Sequence, residues 1–272
     1  MKLALVGCGL IGGSWVKALR QAGVVTRVVG HDVDPRAAAR SRELGILDEV
    51  GAPPADADVV VVAVPPGAIV DVCRRLPGGE AVVTDVGSVK AKVVAGAEAA
   101  LGGRYVGGHP MAGTERSGPD AADAALFQGR RVVLTPTART SPSALARVRD
   151  LWRAAGAEVL EMAPDAHDRA VAAVSHLPHV AAYALAGVLH ERGLDDLVGL
   201  AGPSLVDVTR VAASRSALWV EIFRENREAL LPLFDLFGAR LAALRAAVEA
   251  GDEEALTRLL EEAGAARRRI VP

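Results

Sequence analysis

Histidine is the side chain whose charge changes near neutral pH, and this chain places one in a constrained setting. His109 stands in "GGHPMAG", residues 107–113, with two glycines before it and a proline after it. Pro110 biases the residue before it toward extended backbone and away from helix. Gly107 and Gly108 let neighbouring backbone or a ligand come close. A histidine held this way behind the strand-like "RYV" suits proton transfer; the bland alternative is a loop histidine satisfied by its neighbours.

A second group of residues has the chemistry of an anion cradle. "GCGLIGG" sets Gly7, Gly9 and Gly12 in the G-x-G-x-x-G spacing directly after the strand-like "KLALV", with Leu10 and Ile11 opening the helix that follows. The first glycine permits the tight turn, the second lets a pyrophosphate approach, and the third lets helix pack on strand. The unpaired N–H groups of that helix then face the phosphates. Twenty residues after Gly12, Asp32 ends "TRVVGHD". A carboxylate there accepts hydrogen bonds from ribose hydroxyls and repels a 2′-phosphate, so NAD is expected rather than NADP. Arg36 lies near enough in sequence to reach a phosphate instead.

The C-terminal half carries His167, His176, His179 and Arg210. "SHLPH" sets His176 and His179 three apart, a spacing open to a metal pair, though no cysteine and only Asp165 or Asp168 stand near to complete it. No metal is assigned. Arg210 follows Asp207 by three residues. That spacing suits a surface ion pair or a carboxylate clamp equally well.

The elements that would hold these groups change character along the chain. Through roughly the first 160 residues, short runs ("KLALV", "TRVVGHD", "ADVVVVAVP", "EAVVTDVG", "RYVGGH", "RRVVLTP", "AEVLEM") alternate with alanine- and arginine-rich helical stretches. "VVVVAV" does not alternate apolar with polar, as in a strand buried on both faces. A doubly wound, Rossmann-type α/β domain with a parallel sheet is expected over residues 1–164. Ligands of such sheets sit beyond the carboxyl ends of the strands, so His109 and Ser88, which follow two of them, should project into one crevice. Residues 165–272 read as an all-helical domain. One helix begins near Asp165 and bends at Pro178; others start at Pro203, near Ser214 or Ser216, and after Asp252. Leu218, Ile222, Leu230, Leu233, Phe237, Leu241 and Leu244 form a stripe that is either core or dimer face, and a homodimer is expected.

Composition narrows the partners. The 272 residues hold 31 basic and 33 acidic side chains, a net charge of −2. Nothing there attracts nucleic acid or an anionic membrane. A strand from residue 2 leaves no room for a signal peptide, and no apolar run reaches the ~18 residues of a spanning helix. Cys8 and Cys73 offer neither a disulfide framework nor zinc spacing. A cytoplasmic protein with a small-molecule ligand is expected.

Together these pieces resemble a family, the prephenate/arogenate dehydrogenases of tyrosine biosynthesis. "GCGLIGGSWVKALR", "HDVDP", "AVPP", "TDVGSVK", "GGHPMAGTERSG", "HDRAVAAVSHLPH" and "DVTRVAASRSALWVEIFRENRE" occur in the family's order, from residue 3 to about 228. The resemblance implies an NAD-dependent oxidative decarboxylation of a cyclohexadienyl carboxylate. His109 would take the proton of the ring hydroxyl as hydride leaves C4, and Ser88 would position His109 or the hydroxyl. Arg210 matches the family's substrate-binding arginine, His179 its second histidine, and Glu115 the place of a gate over the pocket. His167 goes with them on the substrate side, at one remove. Val64 and Pro65 of "AVPP" would join Gly7, Gly9, Leu10, Ile11, Gly12 and Asp32 around the cofactor. Aromatisation of the ring drives the loss of CO₂, so the implied reaction requires neither a metal nor a Schiff-base lysine.

Two other readings compete. A β-hydroxyacid dehydrogenase relative typically uses a lysine on a helix of its second domain, and no lysine follows Lys92. A non-catalytic dinucleotide sensor would not need His109, Ser88 and Arg210 together. Prephenate is favoured over arogenate because no acid is evidently placed to receive an ammonium.

Overall fold

The computed structural model describes residues 1–114, 116–191 and 199–270. Among them, eight strands form one sheet: β1 (Lys2–Val6), β2 (Arg27–His31), β3 (Glu49–Val50), β4 (Val59–Val62), β5 (Val82–Asp85), β6 (Tyr105–Pro110), β7 (Arg131–Thr135) and β8 (Glu158–Glu161). Their order is β3-β2-β1-β4-β5-β6-β7-β8. The helices α1 (Leu10–Gln21), α2 (Pro35–Glu43), α3 (Pro66–Arg75), α4 (Ala91–Leu101) and α5 (Pro142–Ala154) connect them. All seven strands read from the sequence are present, and β3, only two residues long, is added at the edge.

The sheet departs from all-parallel pairing at one place: β6 and β7 are antiparallel. Parallel neighbours need a crossover, usually helical. Among its described residues the β6–β7 connection contains only a short 3₁₀ turn at Pro119–Ala121, so β7 returns against β6, whereas β7 and β8 are joined through α5 and run parallel.

The four valines of β4 are all buried, as a strand covered on both faces requires. Along β1 the two faces separate with period two. Leu3 and Leu5 join a cluster with Trp15, Phe127 and Trp152, while Ala4 and Val6 join one with Ile69, Val93 and Tyr105. Trp15 and Trp152 stack with centroids 3.8 Å apart, locking α1 to α5.

After β8 the described residues are helical or irregular: α6 (Pro164–Val171), a π-helical turn (Ala172–His176), α7 (Leu177–Glu191), α8 (Pro203–Thr209), a 3₁₀ turn (Arg210–Ala213), α9 (Ser216–Glu225), α10 (Arg227–Ala250) and α11 (Glu253–Ile270). Five of the eleven α-helices among the described residues begin with proline at the first turn, where its missing N–H costs nothing. Ser216 is the first residue of α9 rather than its cap, which falls on Arg215. Asp252 does cap α11, its carboxylate accepting the Ala255 N–H at 2.9 Å.

Pro164–Glu191 forms 28 consecutive helical residues, with a mean hydropathy of 1.4 over its most apolar 18. By length and composition alone it is apolar enough to span a membrane, contrary to the sequence expectation. Polar residues interrupt its apolar runs without bringing that average below 1.4, and His167, Asp168 and His176 on it are buried in the hydrogen-bond network described below. By packing, the chain divides into a unit Met1–Asn226, containing the sheet and the helices through α9, and a second unit from Arg227 built on α10 and α11.

Candidate active site

A cavity of 1120 Å³ opens within the first unit. Its cofactor-like end is built by the glycine turn. Gly7 has φ +96°, where a Cβ would run into the Ala63 carbonyl. Gly9 caps α1 with no side chain and no acid in the first turn, and nothing lies within 4 Å of where its Cβ would be. Gly12 faces inward instead: a Cβ there would lie 2.7 Å from the Gly7 carbonyl and 2.9 Å from Ala63 Cβ. The α1 N-terminus therefore presents unpaired N–H groups to open space. Asp32 is fixed at its lip, with Oδ2 accepting the Cys8 N–H at 2.7 Å and Oδ1 the Asp34 N–H at 2.9 Å. Arg36 is engaged with Asp34 at 3.3 Å. Gly7, Gly9, Leu10, Ile11, Asp32, Val64 and Pro65 all line the cavity. An uncapped helix N-terminus, a cradle that any Cβ would fill and a fixed carboxylate suit a dinucleotide.

His109 reaches the same cavity because β6 outruns β5. Tyr105 and Val106 pair with Val83 and Thr84; beyond the end of β5, Gly107 to Pro110 pair only with β7. Gly108 has no room for a side chain, since a Cβ would lie 2.8 Å from the Asp85 carbonyl. A buried network holds this stretch. Lys90 is ion-paired with Asp85 and donates to the Gly108 carbonyl at 2.9 Å, while Tyr105 Oη donates to Asp85 at 2.7 Å.

Behind His109 runs a relay absent from the sequence reading. His109 Nδ1 lies 2.8 Å from His167 Nε2, and His167 Nδ1 lies 2.8 Å from Asp168 Oδ1. The Asp168 carboxylate also accepts the Lys90 and Ala91 N–H groups at the start of α4, both at 2.8 Å. Burial opposes its ionisation, but His167 and those two N–H groups outweigh it and hold the carboxyl below its ordinary value. An ionised Asp168 makes His167 Nδ1 the donor, so His167 Nε2 must accept and His109 Nδ1 must donate. His109 Nε2 is left as an acceptor. Burial first, then the electrostatic influence of His167, Lys90 and His176 against a second proton, pushes the His109 pKa well below 6.5, which keeps the ring neutral at pH 7.

The opposite wall comes from the helical segments. Leu177 N bonds to the Ala172 carbonyl, closing the π turn just ahead of Pro178, which has no N–H to continue an α-helical ladder. Both His176 and His179 line the cavity. His179 Nδ1 donates to the Ser175 carbonyl at 2.8 Å, and its ring stacks on Trp219 at 3.5 Å. Burial, and Arg210 nearby, lower its pKa, against the effect of the Ser175 carbonyl. His176 instead meets Asn226 Nδ2 at 3.1 Å, and burial lowers its pKa to about 4. Among the described residues no three His, Cys, Asp or Glu side chains form a metal-ligand set.

Arg210 lines the cavity, with Arg215 and Arg116. Ser88 lines it too, but no hydrogen bond joins Ser88 to His109, whose ring is oriented by His167. His167 is fully buried and does not line the cavity, because it stands behind His109 rather than beside a ligand. Glu115 lies outside the described residues. The sequence reading missed Trp219 and the Asp85–Lys90 pair, and weighed Asp168 only as a metal carboxylate, not as the partner of His167. All were visible in the quoted motifs as "HD", "ALW" and "TDVGSVK", but nothing in their spacing assigns them partners.

Two family models match consecutive parts of the chain: the prephenate dehydrogenase nucleotide-binding domain over residues 15–161 and the prephenate dehydrogenase dimerization domain over 163–262. The cyclohexadienyl dehydrogenase of Zymomonas mobilis is 36% identical, over 97% of this chain and 94% of its own length. The crystal structure of Aquifex aeolicus prephenate dehydrogenase in complex with hydroxyphenyl propionate and NAD⁺ is similar at TM-score 0.92 and 35% identity, covering 99% of this chain and 98% of that one. Synechocystis arogenate dehydrogenase is similar at TM-score 0.82 and 30% identity, over the full length of both chains.

Proposed function

Because the chain belongs to the prephenate dehydrogenase family, we propose that it carries out the NAD-dependent oxidative decarboxylation of prephenate to 4-hydroxyphenylpyruvate. The observation that carries this reading is the relay Asp168–His167–His109, which delivers a neutral imidazole nitrogen into a cavity shared with the glycine turn and Arg210. The nucleotide would be held by Gly7, Gly9, Leu10, Ile11, Asp32, Val64 and Pro65 and, when bound, supplies the hydride acceptor. His109 Nε2 takes the proton of the C4 hydroxyl as that carbon is oxidised. The charge gained is shared toward His167 and Asp168, a contribution of about 10²- to 10⁴-fold to the rate. Arg210 receives a substrate carboxylate, and His179, stacked on Trp219, faces the side chain. CO₂ leaves C1 as the ring becomes aromatic.

Residues 1–164 serve the dinucleotide and 165–272 the substrate and a homodimer contact. This division is supported by family models that end at 161 and begin at 163. We take the enzyme to be cytoplasmic.

Prephenate is preferred to arogenate on charge. Among the described lining residues Asp32 is the one carboxylate, and it sits at the glycine turn. The same lining offers Arg116, Arg210, Arg215 and His179, which suit a keto acid better than an ammonium. The test is NADH formation by the purified protein with prephenate and arogenate in parallel, repeated with NADP. Higher kcat/KM for prephenate with NAD is expected. Preference for arogenate would move the assignment to the alternative, and no turnover despite dinucleotide binding would overturn the dehydrogenase reading.

A further inference from the structure

One link between the walls of the cavity has no part in the reaction as written. α3 begins at Pro66; the Pro65 carbonyl accepts the Ala68 N–H at 2.9 Å, but Pro65 has no side-chain acceptor to offer and the first turn carries no acid. A residue 154 positions away supplies the carboxylate: Glu221 of α9 accepts the Gly67 N–H at 2.5 Å. A carboxylate at a helix N-terminus is favoured by the helix dipole and by a charge-assisted hydrogen bond. The same contact explains a glycine at 67, where a Cβ would lie 2.6 Å from Glu221 Oε1 and 3.2 Å from the Arg224 guanidinium. Val64 and Pro65, just before α3, line the cavity where the dinucleotide is assigned. Leu218, Trp219 and Ile222 of α9 line it from the substrate side, with Trp219 on His179.

We infer that Glu221 is a positioning residue whose carboxylate locks α9 to the start of α3 and so sets the reach between substrate ring and nicotinamide. The identities of those two ligands rest on the dehydrogenase reading; the link itself does not. An element that both ligands bias makes their binding cooperative, and the coupling is reciprocal.

The experiment compares wild type with Glu221→Gln, Glu221→Ala, Gly67→Ala and the double variant Glu221→Ala/Gly67→Ala. It measures kcat, KM, thermal midpoint and NADH affinity with and without hydroxyphenyl propionate. Glu221→Ala should lower kcat about tenfold, as a loosened reacting geometry does. It should also abolish most of the gain in NADH affinity that hydroxyphenyl propionate produces, while NADH affinity alone changes less than about twofold. Glu221→Gln keeps an acceptor oxygen and should recover most of the loss. Gly67→Ala should be harmful alone, because its methyl displaces Glu221, yet add nothing in the Glu221→Ala background, a non-additivity expected only of touching groups. Wild-type kcat and intact coupling in Glu221→Ala, a fall in thermal midpoint with unchanged kinetics, or additive effects of the two substitutions would each overturn the inference. Should wild type turn over neither substrate, the dehydrogenase reading fails. The coupling between NADH and hydroxyphenyl propionate then decides the role of Glu221: lost in Glu221→Ala it stands, kept it falls.

Discussion

His109 Nδ1 is committed to His167, so the only lone pair the ring can offer the cavity is on Nε2. His109→Asn keeps a polar side chain but removes that base. It should cut kcat about 10²-fold or more with NAD affinity nearly intact, and near-normal turnover in single-turnover kinetics would remove His109 from the mechanism. The acid limb of the pH profile follows from the direction of its pKa. His109 works unprotonated and its pKa lies well below 6.5, so kcat should hold as pH falls through 6.5 and decline only at lower pH. A decline centred at or above 6.5 would contradict the burial that sets this value. Arg210→Gln leaves the base untouched and should mainly raise the KM of the carboxylate substrate; an unchanged KM would shift the clamp to Arg215, which lines the same cavity. At this scale the sequence was informative where a residue's neighbours in the chain determine its role. His109 between Gly108 and Pro110, and Asp32 after its strand, were readable for that reason. His167 and Asp168 take their roles from partners 58 and 78 positions away, and no local pattern encodes such a distance.

Between elements, Asp168 is the joint. It reaches from α6 to accept two N–H groups at the start of α4 and the Nδ1–H of His167, while its own carbonyl accepts Asn226 Nδ2 at the end of α9. Asp168→Ala leaves those N–H groups buried without partners and frees the tautomer of His167. A loss of about 2–4 kcal/mol in chemical denaturation is expected together with a fall in kcat. Asp168→Asn retains an acceptor for one N–H and should destabilise less while still losing activity, since an amide can donate to His167 and reverse the relay. Equal stability of the two variants would show that the N–H groups find other partners. The same region governs acid stability. His176 has a folded pKa of about 4 against 6.5 for the free side chain, so the unfolded chain takes up the proton first. Stability is then full above about 6.5 and falls as pH drops toward 4, and His176→Gln should flatten that slope in denaturation curves. Proline's missing N–H marks position 178 in the sequence, but the π turn at Ala172–His176 ahead of it could not be read there. The antiparallel β6–β7 pair was likewise illegible, because strand direction depends on what the connecting loop lacks.

On the scale of the whole molecule, the second unit poses a question of burial. Among its described residues, α11 buries none and α10 only Leu230 and Ala247. On α10, Leu231, Phe234, Leu241 and Val248 are 59%, 41%, 52% and 66% exposed, and their spacing puts them on one face. Two helices cannot supply a core by themselves, and exposed apolar surface of this kind marks an association site. The stripe read from the sequence as core or dimer face divides here: Ile222 and Leu230 are buried, while Leu218 and Leu241 are exposed. It divides because α9 ends at Glu225 and a separate helix, α10, begins at Arg227, a break that the leucine spacing alone conceals. A homodimer through this face should sediment at about twice the 28.1 kDa of the chain. Phe234→Asp with Leu241→Asp should move the protein toward monomer and weaken the concentration dependence of the thermal midpoint that linked folding and association give the wild type. A wild-type protein that sediments at the mass of one chain at micromolar concentration would contradict the homodimer and leave this apolar face for another partner.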